Sequence, residues 1–101
     1  MKRVEFSAEA EAEFTDAAVH YERARPGYGV RFRNEVYAAR ETIATYPEIG
    51  ERIPRTPCRR FILTDFPFAL IYLAGPELIE VVALAHHKRR PGYWKSRLRK
   101  S

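Results

Sequence analysis

The chain holds a single cysteine, Cys58, a single methionine, Met1, and a single tryptophan, Trp94. One thiol excludes an intrachain disulfide and a cysteine-built zinc cluster, and it makes the cytoplasm the default compartment. Long apolar runs are missing too. The longest mostly apolar stretch, Phe66 to Ala74, falls far short of the roughly 18 residues that cross a bilayer, so no membrane partner is expected. The N-terminal residues do not read as a signal peptide, because Glu5, Glu9, Glu11 and Glu13 interrupt any apolar core. A phosphate-binding glycine loop is absent, since Pro26-Gly27-Tyr28-Gly29 has neither Walker nor Rossmann spacing and follows a helical pattern. There are no repeats and no low-complexity segments. Acidic residues vanish at the far end: from His86 onward there are seven Lys and Arg and no Asp or Glu.

What is present suits one globular domain over residues 1–101, with 46% hydrophobic and 31% charged residues. A chain of this size buries roughly two-thirds of its unfolded surface, enough for one core without staples. Charge is divided. Residues 1–51 carry seven Lys/Arg against ten Asp/Glu, a net −3, and residues 52–101 carry eleven against three, a net +8. A basic end of this density points to a polyanion or an acidic protein as partner.

Periodicity predicts the order β-α-α-β-β-β. Val4 and Phe6 alternate with charges in a short opening strand, and Ser7 is placed to cap a helix whose first turn holds Glu9 and Glu11. Ala10, Phe14, Ala17 and Tyr21 draw one apolar stripe, and Pro26-Gly27 ends it. A second helix starts near Gly29, with Phe32, Val36, Ala39, Ile43 and Tyr46 as its seam. Its neighbour lies only the Arg25 to Tyr28 connection away, so the pair forms an antiparallel hairpin. Glu48 to Pro57 holds too many breakers for a regular element and reads as an ordered loop. Cys58 to Leu63, Phe66 to Leu73 and Leu78 to Ala85 read as an antiparallel meander, with Val81 to Ala85 apolar enough for a sheet interior. The fold class is therefore α+β: a helical hairpin on a mainly antiparallel four-stranded sheet, closed by a short C-terminal helical turn after Pro91.

The chemistry-bearing segment is the one that leaves the last strand. Lys88, Arg89, Arg90, Lys95 and Arg97 can neutralise an anionic target, and Tyr93 and Trp94 can stack on bases or anchor an interface. For Trp94, packing back onto the sheet is the first expectation and contact the second. His86 and His87 are adjacent on a strand, point to opposite faces and cannot share a ligand sphere, so no metal is expected. Either has the intrinsic pKa of a general base, but the sequence supplies no evident acid partner. Arg59 and Arg60 also alternate, one toward the helices or a loop and the other toward a groove. The groove-facing one of the two, with Arg89 or Arg90, could then grip a phosphate across the sheet. The competing assignment is salt bridging to the acids of the first helix.

In order and spacing these residues resemble the RelE/ParE superfamily of type II toxin–antitoxin toxins, most closely its ParE-like, plasmid-stabilisation branch. The resemblance runs through Ser7-Ala8-Glu9-Ala10, Tyr21-Glu22, Gly27-Tyr28-Gly29 with Phe32 and Glu35, then Ile43 and Pro47. It continues in Arg59-Arg60-Phe61, Phe66-Pro67-Phe68 and Ile71-Tyr72. Its most specific part is Ala85-His86 with Arg89, Pro91-Gly92-Tyr93-Trp94 and Arg97.

The resemblance implies a small toxin without cofactor, neutralised by a cognate antitoxin that wraps it, with Phe61, Phe68, Ile71 and Arg59 as antitoxin contacts and exposed strand edges as docking sites. It also implies one of two mechanisms. ParE-like members inhibit DNA gyrase by protein contact, the first reading here. RelE-like members cleave messenger RNA on the ribosome, and in that alternative Arg60, Arg89, Tyr93 and His86 or His87 fall where nuclease residues lie. The lysine-rich strand of one nuclease group is replaced here by Cys58-Arg59-Arg60, and no glutamate lies between Glu51 and Glu77 to serve as a base.

Overall fold

A computed structural model of the chain describes residues 1–99; Lys100, the last of the seven basic residues, and Ser101 lie outside them. Strand β1 (Arg3–Phe6) leads into helices α1 (Ala8–Ala24) and α2 (Tyr28–Thr45). Strands β2 (Glu51–Arg52), β3 (Arg59–Ile62), β4 (Phe68–Ala74) and β5 (Leu78–His86) follow, then a 3-10 turn, Lys95–Arg99. The strands form one mixed sheet in the order β1-β5-β4-β3-β2, parallel between β1 and β5 and antiparallel elsewhere. The α+β class is as expected, and the strand count is corrected from four to five. The additional strand, β2, lies inside the segment read as a loop and pairs Glu51 with Arg60 and Arg52 with Arg59. Two residues between Gly50 and Pro54 are too few to leave a periodic signal.

Local chemistry explains the helices. Ser7 Oγ accepts the Ala10 N–H at 3.1 Å and caps α1. The α1 stripe buries Ala10 and Phe14, and Ala17 and Tyr21 in part, with Ala18 beside them. In α2, Phe32, Val36, Ala39 and Ile43 are buried, while Tyr46, just past the helix end, is 63% exposed. At the hairpin tip Gly27 has φ +92°, and the Glu22 carboxylate accepts the N–H of Gly27 (3.1 Å) and Gly29 (3.0 Å), capping the next helix.

Gly29 permits the close approach of the two helices. A Cβ there would sit 2.9 Å from the Ala18 carbonyl oxygen and from the Glu22 side chain. Gly29→Ala should therefore destabilise the protein by about 1–2 kcal/mol, because overpacking against backbone outweighs the roughly 1 kcal/mol gained in helix propensity. A thermal melt above that of the wild type would show that the hairpin can open without cost.

The sheet is covered on both faces. On the helix side, Phe14, Phe32, Phe66, Phe68, Leu70, Tyr72, Val81 and Leu84 form the main core. On the other side, Ile53, Cys58, Ala69, Ile71, Val82, Ala83 and Trp94 form a second cluster, with Tyr93 and Leu98 of the tail packed on it. Strand β5 lies between β1 and β4, the interior position its apolar run predicts. Ile71 pairs with Ala83 but Tyr72 with Val81, so the register shifts and Val82 is the extra residue of a bulge. Side chains tie the loops to this frame. The buried Tyr72 hydroxyl donates to the Pro47 carbonyl (2.8 Å) and accepts the Gly50 N–H (2.9 Å). The Glu35 carboxylate accepts the N–H groups of Thr64 and Asp65 in the β3–β4 turn. Among the described residues no helix is long and apolar enough to cross a membrane.

Candidate functional site

On the face opposite the helices, alternate residues of three strands build an open groove of about 490 Å³. Register sets its floor, since Arg60 lies opposite Ile71, Ile62 opposite Ala69, and Ala69 opposite Ala85. The two alanines leave the depression, and Ile62, 54% exposed, forms part of its wall. The segment after β5 closes one side. Arg60, His87, Arg89, Arg90 and Lys95 thus line one concavity although Arg60 is far from the rest in sequence.

The structure sorts the arginines that sequence treated alike. Arg59 points away from the groove, and its Nη1 donates to the carbonyls of Glu48 (3.1 Å) and Gly50 (2.8 Å), clamping the loop before β2. Arg60 faces the groove and, among the described residues, is paired only to exposed Glu51 at 3.3 Å, a contact worth little in water. Arg97 is engaged inside the fold. Its Nη1 and Nη2 donate to the two Glu13 carboxylate oxygens (3.1 and 2.9 Å), and Nη1 also donates to the Val82 carbonyl at 2.9 Å. Part of the basic half's charge is therefore neutralised by the first helix.

This contact explains how the β5 edge is finished. Strand β1 covers β5 only from Leu78 to Val81, so the bulge beyond it exposes backbone groups. Arg97 takes the Val82 carbonyl, and Glu13 accepts the Leu84 N–H at 3.0 Å. Glu13 also accepts the Tyr93 hydroxyl at 2.7 Å. Burial works against the Glu13 charge, yet Arg97, Tyr93 and the Leu84 amide together hold its carboxyl below the ordinary glutamate value. Burial and the adjacent carboxylate push the Tyr93 phenol up to about 12. The phenol is therefore neutral and committed as a donor at physiological pH. Arg89 stacks on the same ring, its Cζ 3.8 Å from the centroid.

The other candidates are placed as follows. Trp94 is 4% exposed and lies in the cluster beneath the tail. His86 packs edge-on against Phe68, centroids 5.0 Å apart, and its Nδ1 accepts the Lys88 N–H. Burial, then the neighbouring His87, Lys88 and His20, lower its pKa. Lys88 and Arg90 are exposed. Phe68 and Ile71 are buried at 8% and 2% exposure, and Phe61 is half-buried. Among the described residues no three His, Cys, Asp or Glu side chains converge to hold a metal ion. Two site residues escaped sequence reasoning. Glu13 was one acid among many on α1, and Ile62 gave no signal beyond strand alternation.

The family model described as ParE toxin of type II toxin-antitoxin system, parDE, matches residues 4–91. No curated protein matches the chain. A chain of the solved chromosomal ParDE TA system from P. aeruginosa superimposes with a TM-score of 0.72, covering 85% of this chain and 96% of that one at 14% identity. Identity that low establishes a shared fold alone. The family match runs from the opening strand through the helical hairpin and the meander to the first residues of the basic tail, and on it the chain belongs to the ParE family of type II parDE toxins.

Proposed function

We propose that this toxin arrests growth by binding DNA gyrase through the groove and its basic rim, and that a cognate ParD-type antitoxin neutralises it. The observation that carries the reading is the groove itself: cations from β3 and from the tail converge around an apolar floor. Tyr93, the residue a nuclease mechanism would use for proton transfer, is meanwhile bonded to Glu13. An apolar floor with a cationic rim suits a protein surface that carries carboxylates. The antitoxin reaches the same region. Beyond Arg60 the outer edge of β3 has no strand partner among the described residues, which leaves Phe61 and Ile62 available to an added segment.

Production of the chain without antitoxin should stop growth, and the purified protein should inhibit gyrase supercoiling. Arg89→Ala should weaken that inhibition roughly thirtyfold, the effect of losing an interface hot spot. Gyrase left unaffected, together with ribosome-dependent messenger-RNA cuts lost on Arg60→Ala or Arg89→Ala, would replace this reading with the endoribonuclease. Harmless accumulation of folded protein would overturn both.

A further inference from the structure

Glu13 lies on α1, and the partners it joins, Tyr93 and Arg97, lie beyond the residues matched by the family model. Its carboxylate accepts four hydrogen bonds, from Tyr93, from two Arg97 nitrogens and from the Leu84 amide. The two side chains of the Glu13–Arg97 pair are only 17% and 18% exposed. A carboxylate so fully occupied leaves the Tyr93 hydroxyl one orientation, and with it the plane of the ring.

Arg89 lies on that ring at 3.8 Å. Its side chain makes no hydrogen bond or ion pair among the described residues, and it borders both the groove and the adjoining hollow beside His20 and His86. Stacking occupies the face of a guanidinium and leaves its N–H edge free for the bidentate capture of an oxyanion. Arg97, by contrast, commits three of its five N–H donors inside the fold, to Glu13 and to the Val82 carbonyl. We propose that Glu13 is a positioning residue: through Tyr93 it presents Arg89 to the target with its donor edge unsatisfied. The toxin would thereby avoid part of the side-chain ordering cost that an exposed arginine meets on binding. The proposal rests on the gyrase reading for its target, though not for its geometry.

Glu13→Gln keeps the shape of the side chain but loses the charge, and Tyr93→Phe keeps the ring but loses the hydroxyl. In the wild-type protein the Arg89 side-chain N–H resonance should show a ring-current shift at pH 7, and each variant should move it toward the value of a free arginine. In the supercoiling assay Glu13→Gln should cost roughly fivefold, the scale of one cation–π contact. The same change should cost nothing further in an Arg89→Ala background. An Arg89 resonance unmoved in a folded variant, or losses that multiply in the double variant, would overturn the proposal. Should Glu13→Gln fail to fold, Tyr93→Phe decides by the same two measurements. Should the wild-type protein leave gyrase untouched, the gyrase reading falls, and the resonance alone decides whether Glu13 positions Arg89.

Discussion

Replacing Phe32 with alanine should cost about 3–5 kcal/mol, a large share of the stability of a domain this size. Phe32 has no exposed surface, and its ring lies 5.2 Å from each of Tyr21, Phe66 and Phe68 and 5.9 Å from Phe14, centroid to centroid. It joins both helices to the β3–β4 turn and to β4. Those neighbours are held by different backbone elements and cannot close together, so the cavity term adds to the lost transfer energy. Urea denaturation should show a lower midpoint at unchanged slope, and Phe32→Leu should lose well under half as much. A loss below about 1 kcal/mol for the alanine variant would mean that the aromatic cluster is looser than these distances indicate.

Arg97→Ala should be the most damaging change outside the main core, at about 2–4 kcal/mol near neutral pH. It leaves Glu13 charged in a mostly buried site and takes from the Val82 carbonyl its shorter donor, leaving the Ser7 hydroxyl at 3.4 Å. The dependence on pH carries the diagnosis. In the wild-type protein the native carboxyl of Glu13 is held below the 4.5 of a free glutamate. Its contribution is therefore complete above about pH 5 and is lost as the pH falls through 4.5 toward the lower native value. Without Arg97, burial opposes the charge and protonation becomes a relief. The gap between variant and wild type should then narrow steadily from pH 7 to pH 4 in parallel denaturation series. A gap that is constant with pH would show that the loss comes from packing of the arginine stem and not from its charge.

The elements that sequence reasoning located are those held by near neighbours. The stripes of α1 and α2, the Ser7 cap and the run from Val81 to Ala85 each declare themselves within a few turns or a few strand residues. The structure reproduces them within one or two positions. The missed strand, Glu51–Arg52, exists because β3 offers it backbone partners across a turn in which Arg55 takes φ +61°. Nothing in Gly50 to Pro54 encodes that by period.

The site divides in the same way. That the basic residues crowd at one end is written in the composition, and the alternation of Arg59 and Arg60 already sends them to opposite faces. Which of the two clamps a loop is decided by the Glu48 and Gly50 carbonyls within reach of Arg59, and which arginine of the tail is engaged and which is free depends on Glu13. That residue meets Tyr93 and Arg97 across 80 and 84 positions of chain. Sequence alone therefore determined the α+β class, the hairpin, the central strand and the sign of the surface. The tertiary structure decided the role of each cation, because a helix or strand period is a property of consecutive residues, whereas the partner of a charge is whatever the folded chain brings within about 3 Å.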